Sequence, residues 1–296
     1  MAQKAGSPDK GTSFSETCML QCGTKQLDLS GGVVMGILNI TPDSFYDGGR
    51  YNSIKEILSY TENMMVAGAE IIDIGAVSSK PGALQLTADV EKKRLFPVLD
   101  AVLEAFPETI ISVDTWRSDI ARECCDMGVG IINDISGGQF DENMHTMIGN
   151  QQAAYVLMHI KGTPQTMQLN PVYADVVAEV GAFFEEQLRK PGLADKKNII
   201  LDPGFGFGKS VSDNYRILDN LNSFLNHGFP LLAGLSRKSM INRILNSSPA
   251  DALNGTTVLN TIALLRGASI LRVHDVKEAL ETIKLTKALK QSGLNP

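Results

Sequence analysis

The sequence predicts a (β/α)8 barrel, an α/β fold, with an N-terminal β-hairpin and long loops after its first two barrel strands. Three observations carry that expectation. Eight short apolar runs recur along the chain, each stops at a polar or charged cluster, and most are separated by stretches of helical periodicity. Parallel strands covered by helices on both faces read as unbroken Val, Ile and Leu rather than as an alternation. In closed barrels of this kind the chemistry sits at the C-terminal strand ends.

In chain order, residues 1–16 are polar, aperiodic and rich in Gly, Ser and Lys, which predicts a disordered tail ahead of a single domain over 17–296. Residues 17–32 alternate about Gly23-Thr24, the pattern of a hairpin that would plug the barrel bottom. VVMGIL before Asn39 is the first barrel strand. A long loop over Thr41–Tyr51 follows, then a helix opened by the capping-box pattern Ser53-Ile-Lys-Glu56. EIIDI around Asp73 is the second strand, leading into a loop over Ala76–Leu86. The next helix, about 87–105, contains Pro97, which predicts a kink or a division. IISV before Asp114, IIN into Asp134 and AAYVLM before His159 are strands three to five, the last followed by a long connection over Lys161–Tyr173. IIL before Asp202, LLAGL before Ser236-Arg237-Lys238 and ILRV before His274 complete the set. Gly68, Gly128, Gly149, Gly228 and Gly267 each follow a periodic segment, where a left-handed residue ends a helix. Long polar loops on the functional face read as lids or binding loops.

Composition narrows the function classes. At 296 residues, with 43% hydrophobic and 20% charged residues, the chain has the make-up of an ordinary soluble globular protein. A net charge of −6 without a Lys/Arg run argues against nucleic acid as a partner. An anion would then need locally concentrated cations, and Arg237, Lys238, Arg272 and His274 are the candidates. The four cysteines, Cys18, Cys22, Cys124 and Cys125, do not make a disulfide framework or a zinc pattern. They read as free thiols of a cytoplasmic protein, with Cys124 and Cys125 facing different ways on a helix. No signal-peptide core or membrane-length apolar run is present, so no membrane partner is expected.

Asp202-Pro-Gly-Phe-Gly-Phe-Gly-Lys209 resembles a nucleotide loop and is not one. A P-loop needs Gly where Pro203 stands, and a dinucleotide loop needs Gly where Lys209 stands. What remains is a Gly-rich turn that lets backbone approach a flat ligand, with Phe side chains to stack on it. Asp114, Asn133 and Asp202 end three different strands. Each could merely cap the following helix, but three such tips at one mouth suit the donor edge of a planar heterocycle, pterin- or guanine-like. Ser236-Arg237-Lys238-Ser239 begins a helix, where the dipole disfavours cations, so an anion or a π-system is expected there. Arg272-Val-His274 leaves the eighth strand with Arg272 and His274 on one side, beside the strand-seven loop where barrels often bind phosphate. Asn39 could hold Mg²⁺ only together with waters and substrate phosphate oxygens, because no carboxylate stands beside it. His159, His145 and His227 read as structural or surface residues.

Taken together these segments resemble the dihydropteroate synthases of the monofunctional bacterial type. The motifs are Gly36–Phe45, Ser78–Gly82, Ser112–Thr115, Ile132–Ile135, Leu157–His159, Asp202–Lys209, Gly234–Ser239 and Arg272–Asp275, all in the family's order. The resemblance implies a TIM barrel that joins 6-hydroxymethyl-7,8-dihydropterin diphosphate to p-aminobenzoate by dissociative substitution. It implies diphosphate release, Mg²⁺ as cofactor, a place in folate biosynthesis, a homodimer and a sulfonamide target. By resemblance Asp114, Asn133, Met158, Asp202, Phe207 and Lys238 bind the pterin, while Asn39 (through Mg²⁺), Arg272 and His274 hold the diphosphate. Asp114, Lys238, Arg272 and His274 would be catalytic. Phe45 and Asp47 of loop one, Ser79, Lys80 and Pro81 of loop two, and Ser239 would form the p-aminobenzoate pocket. One departure stands out: the family usually has Arg at the position of Lys80, and Lys keeps the charge without the bidentate fork.

Two other readings share parts of this pattern. Corrinoid-linked pterin methyltransferases have the barrel and the Asp/Asn tips but no diphosphate to hold, so Gly-Leu-Ser-Arg-Lys-Ser and Arg-Val-His would go unexplained. A catalytically silent pterin-binding paralogue would have no need of Asn39, Lys238, Arg272 and His274 together.

Overall fold

The computed structural model describes residues 19–40, 46–47, 50–51, 54–78, 82 and 86–292. The tail, Cys18, the Ser53 cap and most of the two long loops lie outside them. The hairpin is present, with β1 (Met19–Cys22) antiparallel to β2 (Lys25–Asp28) about Gly23-Thr24. All eight apolar runs are strands: β3 (Val33–Asn39), β6 (Ile71–Gly75), β7 (Ile110–Asp114), β8 (Ile131–Asp134), β9 (Ala154–Met158), β10 (Ile199–Asp202), β11 (Leu231–Ala233) and β12 (Ala268–Val273). They pair in parallel in that order, and β12 returns to β3 with Arg272 opposite Met35, which closes the barrel. A two-residue antiparallel pair, β4 (Tyr46–Asp47) with β5 (Arg50–Tyr51), follows β3.

Helices cover the outside: α1 (Ile54–Val66), α2 (Ala88–Ala105), α3 (Ser118–Asp126), α4 (Met144–Gly149), α5 (Val176–Leu188), α6 (Val211–Asp219), α7 (Ser239–Leu245), α8 (Leu253–Leu265) and α9 (Val276–Gln291). Outward strand residues such as Ile72, Val113, Tyr155 and Leu271 pack against them in one continuous core. Among the described residues no helix is long and apolar enough to cross a membrane.

Two local expectations are corrected. α2 is not divided at Pro97 but runs as one 18-residue helix, started by Thr87, whose hydroxyl accepts from Val90 N–H. Its buried face of Leu95, Val98, Leu99 and Val102 holds the helix together across the missing N–H, an instance of packing outweighing a local penalty. Gly149 closes α4 without turning left-handed, unlike Gly68, Gly128, Gly228 and Gly267. It is glycine for a different reason: a Cβ there would run into the Gly192 backbone.

The hairpin closes the N-terminal end of the barrel as its alternation predicts. Leu20, Cys22, Leu27 and Leu29 pack against the first inward residues of the strands, among them Val33, Ile71, Ile110, Ile131, Ile200 and Ile270. Lys25 Nζ donates to the carbonyl oxygens of Pro107 and Thr109, and Asn198 Nδ2 donates to those of Gln21 and Gln152. Burying side chains of this size stabilises the folded state by about 1.5–3 kcal/mol each. The open end is therefore the opposite one.

Candidate active site

Side chains alternate across a strand, so the residue two beyond each bottom position faces the other end of the same interior. Along β6 the sequence passes from Ile71 to Asp73, along β8 from Ile131 to Asn133, along β10 from Ile200 to Asp202, and along β12 from Ile270 to Arg272. β7 gives Ile110, Ser112 and then Asp114. One step of the pleat thus converts a dry plug into a polar mouth. Asp114, Asn133, Asp202, Lys238 and Arg272 line a cavity there together with Ile135, Met158 and Phe207. Seven of these eight were singled out by the sequence, six of them as pterin contacts.

Arg272 organises the polar side. Its Nε donates to Asp73 Oδ2 at 2.7 Å and its Nη2 to Asp114 Oδ2 at 3.2 Å. Asp73 also accepts from Ser112 Oγ at 2.6 Å and from Asn133 Nδ2 at 3.1 Å. Burial works against the Arg272 charge, but Asp73 and Asp114 together hold its pKa above the ordinary value. Burial raises Asp114 to about 7, partly offset by Arg272 and reinforced by the like charge of Asp73. Burial likewise raises Asp202, against the Gly204 N–H bond and the Lys238 charge. Lys238 is brought down to about 8 by burial, then by Arg272. Its ammonium lies 4.2 Å from the centre of the Phe207 ring, so one face of the mouth is a cation stacked on an aromatic. Asp114 is thus no helix cap: α3 has Arg117 at its N-cap position with no side-chain cap bond, and the Asp114 carboxylate is spent on Arg272.

The Gly-rich turn after β10 is held from within. Asp202 Oδ1 accepts from Gly204 N–H at 2.7 Å. Lys209 turns back into the protein and is surrounded by His159 Nδ1 at 2.9 Å and the carbonyl oxygens of Gly204 and Phe207, each at 3.0 Å. Burial lowers Lys209 to about 7 and His159 to about 2. His159 is a neutral acceptor and structural, as the sequence suggests. Gly204 has φ +70, and a Cβ on it would collide with the His159 carbonyl oxygen, so the turn tolerates no side chain there. Phe207 is thereby fixed beneath Lys238.

On the anion side, Ser236 Oγ lies 3.0 Å from His274 Nδ1 and accepts from His274 N–H. Oγ still has its proton to give, and donation to Nδ1 corresponds to the tautomer with the imidazole proton on Nε2. Burial, then Arg272, lowers His274 to about 4, so it is a neutral N–H donor at pH 7. Arg237 does not join this group, contrary to its expected place among the concentrated cations. It has φ +56, and its guanidinium pairs with Asp275 at 2.6 Å, outside the cavity wall.

Asn39 ends β3 beside Gly75, and its Oδ1 and Asp114 Oδ2 lie 3.5 and 3.8 Å from where a Gly75 Cβ would stand. Among the described residues no three His, Cys, Asp or Glu side chains gather as a metal cage. An amide oxygen at a strand end with one carboxylate nearby fits an ion that keeps most of its waters and takes phosphate oxygens from a ligand, which is the habit of Mg²⁺.

Of the loop residues, Phe45, Ser79, Lys80 and Pro81 lie outside the described residues, and Asp47 is described only by its backbone pairing with Arg50. Ser239 opens α7 next to Lys238 and is exposed. The sequence reading missed Asp73 and Ser112. The available signal was a carboxylate in the middle of an apolar strand run, which buried strands do not carry without a partner.

With this geometry in hand, comparison with known proteins is decisive. Residues 35–274 match the model of the pterin-binding enzyme family. The dihydropteroate synthase of Escherichia coli strain K12 is 44% identical over 269 residues, covering 88% of this chain and 93% of that enzyme. A crystal structure of Yersinia pestis dihydropteroate synthase, in complex with a sulfonamide drug, superposes with a TM-score of 0.86 at 37% identity, covering 92% of this chain and 99% of the other. That of Xanthomonas albilineans, with 4-aminobenzoic acid, gives 0.84 at 34% identity, covering 92% and 98%. The chain belongs to the dihydropteroate synthase family of pterin-binding transferases.

Proposed function

We propose that the chain condenses 6-hydroxymethyl-7,8-dihydropterin diphosphate with p-aminobenzoate at this mouth, giving 7,8-dihydropteroate and diphosphate for folate biosynthesis. The observation that carries the reading is the union of acceptor tips (Asp114, Asn133, Asp202) with Lys238 over Phe207 and Arg272 in one cavity. The tips suit the donor edge of the pterin, and Phe207 and Met158 suit its faces.

Reaction breaks the bond between the pterin methylene carbon and the diphosphate oxygen and forms a bond from that carbon to the arylamine nitrogen. The arylamine loses a proton as the new bond forms. Negative charge grows on the leaving group, and positive charge spreads over the methylene and ring. Arg272 keeps guanidinium donors beyond the two used on Asp73 and Asp114, and His274 offers an Nε2–H to the departing oxygens. Asp114 and Asp202 suit the positive charge on the ring. Mg²⁺ held by Asn39 would supply further neutralisation of the diphosphate. Loop one, with Phe45 and Asp47, and loop two, with Ser79, Lys80 and Pro81, would complete the p-aminobenzoate pocket beside Ser239 and exclude water.

A homodimer in the cytoplasm is part of this reading. Ile244, Leu245, Val258, Leu285 and Leu289 are exposed apolar side chains on α7, α8 and α9, a surface that a second copy would cover. Sedimentation equilibrium at twice the mass of 32.0 kDa would support it, and a monomer at micromolar concentration would remove it. The reaction itself is tested by mass detection of dihydropteroate in a mixture of both substrates and Mg²⁺. Product in the full mixture and none without the arylamine is expected; tight pterin binding with no product would instead make the chain a silent paralogue.

A further inference from the structure

The mouth shows the ligand a row of acceptors, and the three are not alike. Asp114 and Asp202 only accept when ionised; Asn133 is a carboxamide and can present either end. Asp73 makes that choice. It is fully buried on β6, is absent from the cavity wall, and accepts from Ser112 Oγ at 2.6 Å, Arg272 Nε at 2.7 Å and Asn133 Nδ2 at 3.1 Å. The counter-ion of Arg272 has only lone pairs to offer. The end of Asn133 that faces it must therefore be the NH₂ group, which leaves Oδ1 for the cavity. A flipped amide would set oxygen against oxygen between two buried side chains. Ser112 occupies the other Asp73 oxygen, so the carboxylate cannot turn away.

We propose that Asp73 is a positioning residue that fixes the orientation of the Asn133 amide and thereby gives the mouth its preference for a ring edge bearing an exocyclic amino group over one bearing an oxo group. The inference rests on the reading of the mouth as a pterin site. It separates two roles along one strand-to-strand path: Asn133 touches the ligand, and Asp73 writes what Asn133 says.

The test is equilibrium binding of two probes, pterin-6-carboxylate and its 2,4-dioxo counterpart, to the full chain and its variants. The parent is expected to prefer the amino ring. In Asp73→Val the ratio of the two affinities falls by about tenfold, the worth of one oriented hydrogen bond in a buried site. Asp73→Asn retains the parent ratio, because its Oδ1 can accept from Asn133 and Arg272 while its Nδ2 donates to Ser112 Oγ. A merely structural role would weaken both probes together and leave the ratio unmoved, and that result overturns the proposal. Should Asp73→Val not fold, a second variant gives the same answer. Asn133→Leu removes the oriented amide while Asp73 keeps Arg272 and Ser112 as partners. A fall of about tenfold in the ratio of the two affinities supports the proposal, and an unmoved ratio overturns it. A parent chain that binds neither ring would overturn the functional reading itself, an outcome distinct from an unmoved ratio.

Discussion

The two ends of the barrel are built from the same strands two residues apart, and they solve opposite problems. At the closed end Ile71, Ile131 and Ile270 pack on the hairpin leucines, and the interaction is area removed from water. At the open end Asp73, Asn133 and Arg272 occupy the next inward positions and hold one another by charge-assisted hydrogen bonds. The apolar end tolerates loss by degrees, because each side chain contributes separately. The polar end does not: removing one member leaves its partners buried and unpaired. Stability is therefore graded at the bottom and conditional at the top, and only the top is shaped for chemistry.

The largest expected effect tests that conditional character. Arg272→Met removes the donor for the leaving group and strands Asp73 and Asp114, so kcat/KM should fall by about a thousandfold, the upper range for losing one preorganised donor. Thermal unfolding should drop as well. Steady-state diphosphate release and a melting curve read the two, and an active variant would break the comparison. The mirror-image substitution is Ile270→Ala, two residues earlier on β12. It should cost about 2–4 kcal/mol of stability by the cavity it leaves, with kcat/KM for the folded protein unchanged within about threefold. Denaturant melts and the same assay check it; a large kinetic loss would mean that the two ends are coupled.

The pH profile sharpens the electrostatic half. A carboxyl raised to about 7 takes up a proton as pH falls through that value, so Asp114 loses its negative charge below about 7. Lys238, lowered to about 8, loses its positive charge as pH rises through about 8. If both charged forms are needed, kcat/KM should be a narrow bell with limbs near those values. A flat profile from pH 6 to 9 would remove both groups from the free enzyme's requirements. The smallest effect concerns Lys80. Lys80→Ala should raise KM for p-aminobenzoate about twofold to fivefold, the range of an exposed ion pair, with a smaller change for the pterin substrate. Equal changes for both would displace Lys80 from the p-aminobenzoate pocket.

The barrel was legible because burial on both faces leaves little room for polar residues in a parallel strand, so the eight runs and their polar stops carry both fold and site. Asp114, Asn133 and Asp202 were legible as strand tips for the same reason. Asp73 was not, since its partner Arg272 lies 199 residues along the chain and meets it only when β12 closes on β3. Nor could residue type alone tell Lys238 from Arg237; only the family resemblance singled out Lys238. They are neighbours, but a left-handed backbone at Arg237 sends one guanidinium to Asp275 and leaves the following ammonium over Phe207. Pro97 failed as a breaker because tertiary packing of α2 outweighs one lost hydrogen bond.

The most direct test of the central claim is a time course of diphosphate release from dihydropterin diphosphate and Mg²⁺, run with and without p-aminobenzoate. Release that depends on p-aminobenzoate and matches dihydropteroate formed mole for mole is the expected result. Release at the same rate without the arylamine, or none in its presence, would contradict the account.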